Sequence, residues 1–289
     1  MKDRFEVLVV DLDGTLMTGR GKVSPRNRGA IEAARQAGMT LIVATGRALV
    51  ESLEPLEAIQ HRGLLIGAGG ALLSDVATGR TVARNTMPPD LVADVTAALL
   101  RHEHKVLILK DPDEAGYDYL AVGPGELDPA SRWWFEVLPV RVRFVHALDQ
   151  DPHPQASVRV GAVATEEELA PIATQLQAEI SERGFLQHWS AVTESAAVDS
   201  ATHLLEVFSP DVNKWTMVAE YCRRNEIDPQ RVLAIGDGVN DVQLVGNAGL
   251  GIAMANADAP VLEAADRVTG HHDEDGLADA IERVLDGRW

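Results

Sequence analysis

Short apolar runs alternate with helix-like patterns near both ends of the chain. Apolar runs of four or five residues bounded by Gly, Asp or Thr are typical of strands buried on both faces. These runs predict strands at Glu6–Val10, Thr40–Ala44, Leu64–Gly67, Val232–Gly236, Gly249–Ala253 and Arg267–Thr269. Helical periodicity predicts helices at Pro25–Ala37, Ala48–His61, Asn213–Asn225, Asp241–Asn247, Ala257–Ala264 and Gly276–Leu285. Such alternation predicts an α/β fold built on a parallel sheet with helices on both sides.

The middle of the chain follows a different pattern, with strands that are more polar and more alternating. Such strands are typical of an antiparallel sheet with one face exposed to water. The pattern predicts helices at 90–103, 130–137 and 166–183, and strands near 105–109, 117–122, 140–145, 156–163, 185–189 and 203–208. We therefore expect an α+β domain, residues 85–202, inserted into a core domain formed by residues 1–84 and 203–289.

Length and charge narrow the range of functions. The chain has 289 residues, which is enough for two domains. Its formal net charge of −18 repels nucleic acid and anionic lipid, so we expect neither as a partner. The sequence has no apolar run long enough for a signal peptide or a membrane span, which predicts a cytoplasmic protein. The pattern does not indicate an oligomeric state.

The first predicted strand leads into the segment Asp11-Leu12-Asp13-Gly14-Thr15. Two carboxylates two residues apart at a strand end point the same way, toward the sheet edge where open α/β folds bind ligands. Two like charges placed this closely require a cation or a shared proton. A polar turn that caps the strand is the simpler alternative for this segment taken alone.

Two further segments place phosphate-binding groups beside predicted helix starts. Thr45, Gly46 and Arg47 follow the second strand, and a hydroxyl with free backbone N–H groups at a helix start can hold phosphate. Lys214 begins the helix that precedes the strand Val232–Gly236, and its ammonium could bind a phosphoryl oxygen. Taken alone, the first segment is better explained as an ordinary helix cap and the second as a surface lysine.

A fourth polar segment, Gly236-Asp237-Gly238-Val239-Asn240-Asp241, follows another apolar strand. Oxygen ligands that leave positions open for water and phosphate suit Mg²⁺. An Asp-Gly turn explains one of the aspartates, but it does not explain the pair together with Asn240. All four segments lie at predicted strand ends or helix starts. We therefore predict that they form one site for phosphoryl transfer.

Together these segments resemble the four motifs of the haloacid dehalogenase superfamily: DLDGT at 11–15, Thr-Gly-Arg at 45–47, Lys214, and GDGVND at 236–241. The later run GIAMANADAPVLEAADRVTGHHDEDGLADAI is similar to the C-terminal signature of the Cof-like hydrolase branch. The resemblance covers the core at both ends of the chain and implies a Rossmann-like core. The insert matches in position and approximate size.

The resemblance implies a magnesium-dependent phosphatase. Asp11 would be the nucleophile that forms an aspartyl-phosphate, and Asp13 would be the general acid and base. Mg²⁺ would be held by the Asp11 carboxylate, the Asp13 backbone carbonyl and Asp237. The substrate would be a small phosphorylated metabolite, of the sugar phosphate or phosphoglycerate-sugar type.

The resemblance also implies roles for the remaining polar residues. Asp241 would lie in the outer shell of the metal and orient Lys214. The residues expected to bind the phosphoryl group are Thr45, Gly46, Arg47, Lys214 and Asn240, although Asn240 could instead hold a metal-bound water. These groups would stabilise the charge that spreads over the phosphoryl oxygens in the transition state.

The position of the insert predicts a lid. Gly14 to Ser24 leaves room for a small hairpin flap, whereas the large insert lies between Thr45 and Lys214. In this superfamily that placement implies a cap of type IIB, which closes over the site and sets specificity. Candidate cap contacts are Trp133, Trp134, His188 and Trp189, for which packing within the cap is the alternative.

Two segments depart from the Cof-like pattern. Gly67-Ala68-Gly69-Gly70 stands where these chains usually have an Asn-Gly pair, and His271-His272 stands where a polar residue such as Asn is usual. We interpret the two histidines as loop residues at the rim of the site. These departures affect the choice of substrate more than the chemistry.

Two other functions stay open at this point. A phosphomutase with the same architecture would return the phosphoryl group to its substrate and release no net phosphate. A non-catalytic regulatory protein would be favoured by the loss of Asp11, Asp13, Lys214 or Asp237, but the sequence has all four.

Overall fold

Two units, each with its own sheet, form the chain. The computed structural model describes residues 4–190 and 202–289. Contacts divide the chain into unit 1, Met1–Ala83 with Asn213–Trp289, and unit 2, Arg84–Val212. Residues 1–3 and 191–201, which the sequence analysis assigned to the core and the insert, lie outside the described residues.

The secondary structure alternates along the chain as follows. The strands are β1 (Val7–Asp11), β2 (Thr40–Ala44), β3 (Leu64–Gly67), β4 (Leu72–Asp75), β5 (Thr81–Arg84), β6 (Val106–Lys110), β7 (Tyr119–Val122), β8 (Val142–Val145), β9 (Ser157–Thr165), β10 (Phe185–Ser190), β11 (Thr202–Phe208), β12 (Val232–Gly236), β13 (Leu250–Ala253) and β14 (Arg267–Val268). The α-helices are α1 (Pro25–Gln36), α2 (Leu53–Ala58), α3 (Pro89–Arg101), α4 (Pro112–Ala115), α5 (Pro129–Val137), α6 (Glu166–Ile180), α7 (Lys214–Arg224), α8 (Val242–Asn247), α9 (Ala259–Ala264) and α10 (Gly276–Leu285).

The sheet of unit 1 has the strand order β14-β13-β12-β1-β2-β3-β4-β5. The strands from β14 to β3 are parallel, and β4 turns back antiparallel to β3. The predicted parallel core is therefore confirmed. Strands β4 and β5, which the sequence analysis did not predict, extend this sheet at one edge.

Strand β1 lies at the centre of two cores. Leu8 and Val10 belong to an apolar cluster that also contains side chains of α1 and α10. Val7 and Val9 point to the opposite face and belong to a cluster with side chains of α7 and α8. Because both faces are covered, β1 is entirely apolar until Asp11, which lies at the carboxyl end of the strand.

The helix predicted at Ala48–His61 is wrong as a single element. A short 3₁₀ turn, Leu49–Glu51, is followed by the separate helix α2. Pro55 explains the break, because a proline in a helix interior lacks the N–H donor and clashes with the preceding turn. Helix α2 begins only two residues before Pro55, so the proline lies in the first turn, where it is tolerated.

Unit 2 contains a six-stranded sheet of order β10-β11-β9-β6-β7-β8. Neighbouring strands are antiparallel except β7 and β8, which are parallel. Apolar residues of α3 and α6 form one cluster with side chains from this sheet. The predicted α+β insert is confirmed in its architecture.

The predicted second boundary of the insert is wrong. Residues 203–212 were assigned to the core domain, but strand β11 pairs with β9 and β10 inside the sheet of unit 2. The chain enters unit 1 again at Asn213, and the first boundary differs from the prediction by one residue. Strand β11 combines four apolar residues with Thr202, His203 and Glu206, and this mixed composition did not reveal its sheet.

Within residues 4–190 and 202–289, every helix is too short or too polar to cross a bilayer.

A buried histidine closes the turn between α2 and β3. His61 is 2% exposed; its Nε2 lies 2.9 Å from the Leu64 carbonyl oxygen, and Arg35 donates to its Nδ1 over 3.2 Å. Burial, together with the charge of Arg35, lowers the pKa of His61. The folded protein therefore holds this ring neutral.

We predict that His61 makes the fold less stable in acid. Below about pH 6.5, His61 takes up a proton in the unfolded chain but stays neutral in the folded protein, and this difference favours unfolding. The stabilisation by the buried neutral ring is therefore present above about pH 6.5 and is lost as the pH falls. His61→Gln should lower the free energy of unfolding by about 1–3 kcal/mol at pH 7.5. The deficit should shrink at pH 5, as measured by urea unfolding. Exposed His146→Gln is the control, and a deficit that is constant with pH would contradict the prediction.

Candidate active site

Three neighbouring strands of unit 1 bring polar residues to one edge of the sheet. In the order β12-β1-β2, strand β1 ends at Asp11, β2 is followed by Thr45, and β12 is followed by Asp237. The register pairs Asp11 with Ala44, so Thr45 begins directly beside the end of β1. Parallel strands place their carboxyl ends together, which is why segments far apart in sequence meet here.

Lys214 is the charged centre of this edge. Its side chain is fully buried, and Nζ donates to Asp11 Oδ1 over 2.6 Å, to Asp241 Oδ1 over 2.7 Å and to Asn240 Oδ1 over 3.3 Å. Burial alone would lower the pKa of Lys214, but Asp11 and Asp241 outweigh burial and raise it. The lysine therefore remains a cation inside the protein.

The start of α7 fixes the position of Lys214. Asn213 caps the helix, because its Oδ1 accepts the N–H of Thr216 over 3.0 Å. Gly70 packs against this cap with φ at +110°, and a Cβ there would lie 2.1 Å from the carbonyl oxygen of Asn213. The glycine-rich turn that departs from the Cof-like pattern thus allows close contact with the lysine-bearing helix.

Three carboxylates crowd around the lysine. Ligand oxygens of Asp11, Asp237 and Asp241 all lie within 4.8 Å of one another. Burial and the neighbouring carboxylates raise the pKa of Asp11, although Lys214 opposes them, and burial is the main reason that the pKa of Asp237 is raised to about 6. An oxygen-only donor set with excess negative charge fits Mg²⁺ well.

Asp241 has its carboxylate occupied by the protein itself. Oδ1 accepts from Lys214, and Oδ2 accepts the backbone N–H groups of Asp237 and Gly238, each over 3.2 Å. A Cβ at Gly236 would lie 2.5 Å from Asp241 Cγ, so this approach requires a glycine. The geometry suits a residue that orients Lys214 and the loop after β12.

Asp237 is oriented by two residues to which the sequence analysis gave no role. Thr15 Oγ1 donates to its Oδ1 over 2.7 Å, and Asn256 Nδ2 donates to its Oδ2 over 3.2 Å. Gly14 has φ at +75°, and a Cβ there would lie 2.1 Å from Asp237 Oδ2. Thr15 lies in the DLDGT motif and Asn256 in the C-terminal signature, so the sequence indicated that both segments belong to the site. It did not indicate that both side chains bind Asp237.

Asp13 and Arg47 form an ion pair at the mouth of the site. Arg47 Nε donates to Asp13 Oδ2 over 2.9 Å, and Nη2 contacts Oδ1 of the same carboxylate. Their side chains are 47% and 37% exposed, respectively, in contrast to buried Asp11. Arg47 is expected from the sequence to bind phosphate, but in this structure its guanidinium group pairs with the carboxylate of Asp13 instead.

The turn after β2 lies beside Asn240. Thr45 is buried, and its Oγ1 accepts the N–H of Arg47 over 3.1 Å. A Cβ at Gly46 would come within 3.8 Å of Asn240 Nδ2. All residues predicted to bind phosphate therefore lie in one neighbourhood; their roles remain predictions.

His272 of the C-terminal loop contacts the hairpin closed by the bridge between Met17 and Val23. His272 Nδ1 lies 2.8 Å from the Met17 carbonyl oxygen, and Asp273 Oδ1 accepts the N–H of Gly19 over 2.8 Å. His271, His272 and Asp273 also form a second group of potential ligands. These contacts agree with the interpretation of the histidines as loop residues.

The candidate cap contacts lie on two elements of unit 2. Trp133 and Trp134 are half-buried on α5. On β10, His188 Nε2 lies 3.3 Å from His203 Nδ1, and Trp189 donates to Glu206 over 3.1 Å. Their role in specificity remains a prediction.

Comparison with known proteins identifies the family. A sequence profile for haloacid dehalogenase-like hydrolases matches residues 8–281. A phosphoglycolate phosphatase of Haloarcula marismortui is 27% identical over 279 residues, covering 96% of this chain and 97% of the relative. A 5-amino-6-(5-phospho-D-ribitylamino)uracil phosphatase of Bacillus subtilis, YcsE, is 24% identical over 277 residues, covering 96% and 94%.

A solved structure has the same fold. The protein BT4131, described as a sugar phosphatase of subclass IIB of this superfamily, matches with a TM-score of 0.75 at 20% identity over 97% of this chain and 99% of its own. The profile covers nearly the whole chain, including the edge of the sheet described above. The chain therefore belongs to the haloacid dehalogenase-like hydrolase family.

Proposed function

We propose that this protein is a magnesium-dependent phosphatase that hydrolyses a small phosphorylated metabolite through an aspartyl-phosphate on Asp11. The proposal depends mainly on one observation: a buried carboxylate, Asp11, lies 2.6 Å from a buried ammonium, Lys214, and beside a second carboxylate, Asp237. The named phosphatase activities of the relatives support it.

The residues present fit a magnesium ion. Asp11, Asp237 and the backbone carbonyl of Asp13 would hold it, whereas Asp241 is already occupied by Lys214 and backbone N–H groups. When bound, Mg²⁺ supplies positive charge next to the transferring phosphoryl group and the attacking carboxylate.

The chain's own residues then perform a two-step displacement. Asp11 forms a bond to phosphorus while the bond from phosphorus to the leaving oxygen breaks, and that oxygen takes a proton from Asp13. In the second step, Asp13 removes a proton from water, which attacks phosphorus and breaks the bond to Asp11. Inorganic phosphate leaves, and both aspartates return to their starting state.

Fixed donors stabilise the charge on the phosphoryl oxygens. Lys214 and the hydroxyl and N–H groups of the turn at Thr45 and Gly46 are the proposed donors, with Asn240 beside them. Before Asp13 can act as an acid it must leave Arg47, so we propose that the guanidinium group then turns to the phosphoryl group, as the sequence predicted.

Unit 2 is proposed to be the specificity domain. It is inserted between Thr45 and Lys214, the position of a type IIB cap. The relatives act on phosphoglycolate and on a phosphoribitylamino compound, and BT4131 is described as a sugar phosphatase. These names support a small phosphorylated sugar-like or acid substrate, with Trp133, Trp134, His188 and Trp189 as candidate contacts.

A screen of phosphorylated metabolites for phosphate release tests this function. A phosphatase releases one phosphate for each substrate consumed, whereas a phosphomutase isomerises its substrate and releases none. The net charge of −18 argues against nucleic acid as a substrate, and a cytoplasmic location remains a prediction.

We predict that Asp11→Asn reduces hydrolysis of p-nitrophenyl phosphate to the uncatalysed background, because an amide cannot attack phosphorus. Phosphate release measures this, with circular dichroism to verify folding. Exposed Asp149→Asn in unit 2 is the matched control. A wild-type rate in Asp11→Asn would overturn the assignment of the nucleophile.

Asp13→Asn should affect substrates according to their leaving group. For an alkyl phosphate, whose leaving oxygen needs a proton, we expect kcat/KM, which covers only the steps up to departure of the leaving group, to fall about 10²- to 10⁴-fold. For p-nitrophenyl phosphate, whose leaving group departs without a proton, the loss in kcat/KM should be clearly smaller. Equal losses in kcat/KM on both substrates would show that Asp13 is not the acid.

Removal of divalent cations should silence the enzyme. EDTA should abolish phosphate release and excess Mg²⁺ should restore it, whereas Asp237→Asn should need a much higher Mg²⁺ concentration for half-maximal rate. The measurement is the rate against free Mg²⁺. Full activity in EDTA would contradict a role for the cation.

A further inference from the structure

We propose that Asn256 is a positioning residue that couples the cation ligand Asp237 to the hairpin closed by Met17 and Val23. Binding of Mg²⁺ would then order this hairpin through a chain of three hydrogen bonds. The inference rests on the proposed magnesium site.

The first link is the amide nitrogen of Asn256. Nδ2 donates over 3.2 Å to Asp237 Oδ2 and over 2.9 Å to the carbonyl oxygen of Gly14. Thr15 donates to the other oxygen of Asp237, so two donors on opposite sides fix the plane of this carboxylate. Partners of this kind around metal ligands typically change metal affinity 10- to 100-fold when removed.

The second link is the amide oxygen of the same residue. Asn256 Oδ1 accepts the backbone N–H of His272 over 3.0 Å. The amide nitrogen of Asn256 therefore binds the proposed metal ligand, and its amide oxygen binds the C-terminal loop. Only an amide offers donors and an acceptor in this arrangement.

The third link reaches the hairpin. His272 Nδ1 lies 2.8 Å from the carbonyl oxygen of Met17, which can only accept, so Nδ1 carries the proton. Asp273 strengthens the connection, because its Oδ1 accepts the N–H of Gly19 over 2.8 Å. The hairpin is thus held to the C-terminal loop by two bonds from adjacent residues.

The backbone around Asn256 is held firmly enough to transmit a shift. The N–H of Met254 donates to the carbonyl oxygen of Gly236 over 3.1 Å, and the N–H of Ala255 donates to that of Gly270 over 3.1 Å. Asn256 therefore lies between the loop after β12 and the loop that bears His272. The hairpin itself is largely exposed at Gly19 and Arg20, so its order depends on such connections.

Two variants separate the links. Asn256→Ala removes all three side-chain bonds, whereas His272→Leu removes the bond to Met17 and leaves the backbone N–H on Asn256. Asn247→Ala is the matched control, since Asn247 is an exposed asparagine of unit 1 whose Nδ2 bonds locally to Gln243 over 2.7 Å.

Isothermal titration with Mg²⁺ and hydrogen exchange with and without Mg²⁺ test the proposal. We expect the Kd for Mg²⁺ to rise 10- to 100-fold in Asn256→Ala and to change less than 3-fold in His272→Leu and Asn247→Ala. Mg²⁺ should slow exchange at the Gly19 amide in wild type and in Asn247→Ala. That protection should be lost in Asn256→Ala and weakened in His272→Leu, which keeps the bond from the Gly19 N–H to Asp273.

The outcomes are distinguishable. If wild type binds no Mg²⁺, the proposed function fails together with this inference. If wild type binds Mg²⁺ but Asn256→Ala binds it equally well, or if Mg²⁺ leaves exchange at Gly19 unchanged in wild type, the inference alone is overturned. Should Asn256→Ala fold poorly by circular dichroism, Asn256→Leu, which keeps the side-chain shape, takes its place in both measurements.

Discussion

The stability of the fold and the candidate site both depend on an imbalance of buried charge. Lys214 is one ammonium among the carboxylates of Asp11, Asp237 and Asp241, all within a few ångströms at a largely buried sheet edge. Burying uncompensated charge costs free energy, so the folded chain has a standing deficit of positive charge at this point. A divalent cation restores the balance, which is why the same feature that destabilises the fold creates a binding site for metal and phosphate.

Steric constraints convert this charge pattern into a defined geometry. A Cβ at Gly14 or Gly70 would overlap a residue of another segment of the site, and a Cβ at Gly236 would overlap Asp241 of its own loop. At these points the loops approach each other more closely than ordinary side chains permit. The site is therefore specified as much by the absence of three side chains as by the presence of charged ones.

Much of the fold and site could be predicted from the sequence, because both depend on local signals. Apolar runs bounded by polar residues mark parallel strands, and parallel strands bring the residues that follow them to one edge. Asp11, Thr45 and Asp237 were located in this way, and Lys214 was located from its position at the start of a predicted helix. The parallel order of the strands is what makes such short motifs informative.

What could not be predicted was the choice of partners across long separations. Arg47 was expected on phosphate but pairs with Asp13, and Asn256 had no expected partner until its distance to Asp237 was known. Strand β11 has a mixed composition that fits either sheet, so its place became known only from its pairing with β9. These outcomes depend on three-dimensional proximity, for which one sequence holds no periodic signal.

The contact of Gly70 with Asn213 makes the position of Lys214 independent of the inserted unit 2. The polypeptide leaves unit 2 at Val212, and two residues later it presents Lys214. The docking of Asn213 on the Gly70 turn involves residues of unit 1 alone, so it sets the register of the lysine whatever precedes it. Evolution could therefore exchange the inserted segment for another of different size and leave the chemistry in place, provided that each graft ended before Asn213.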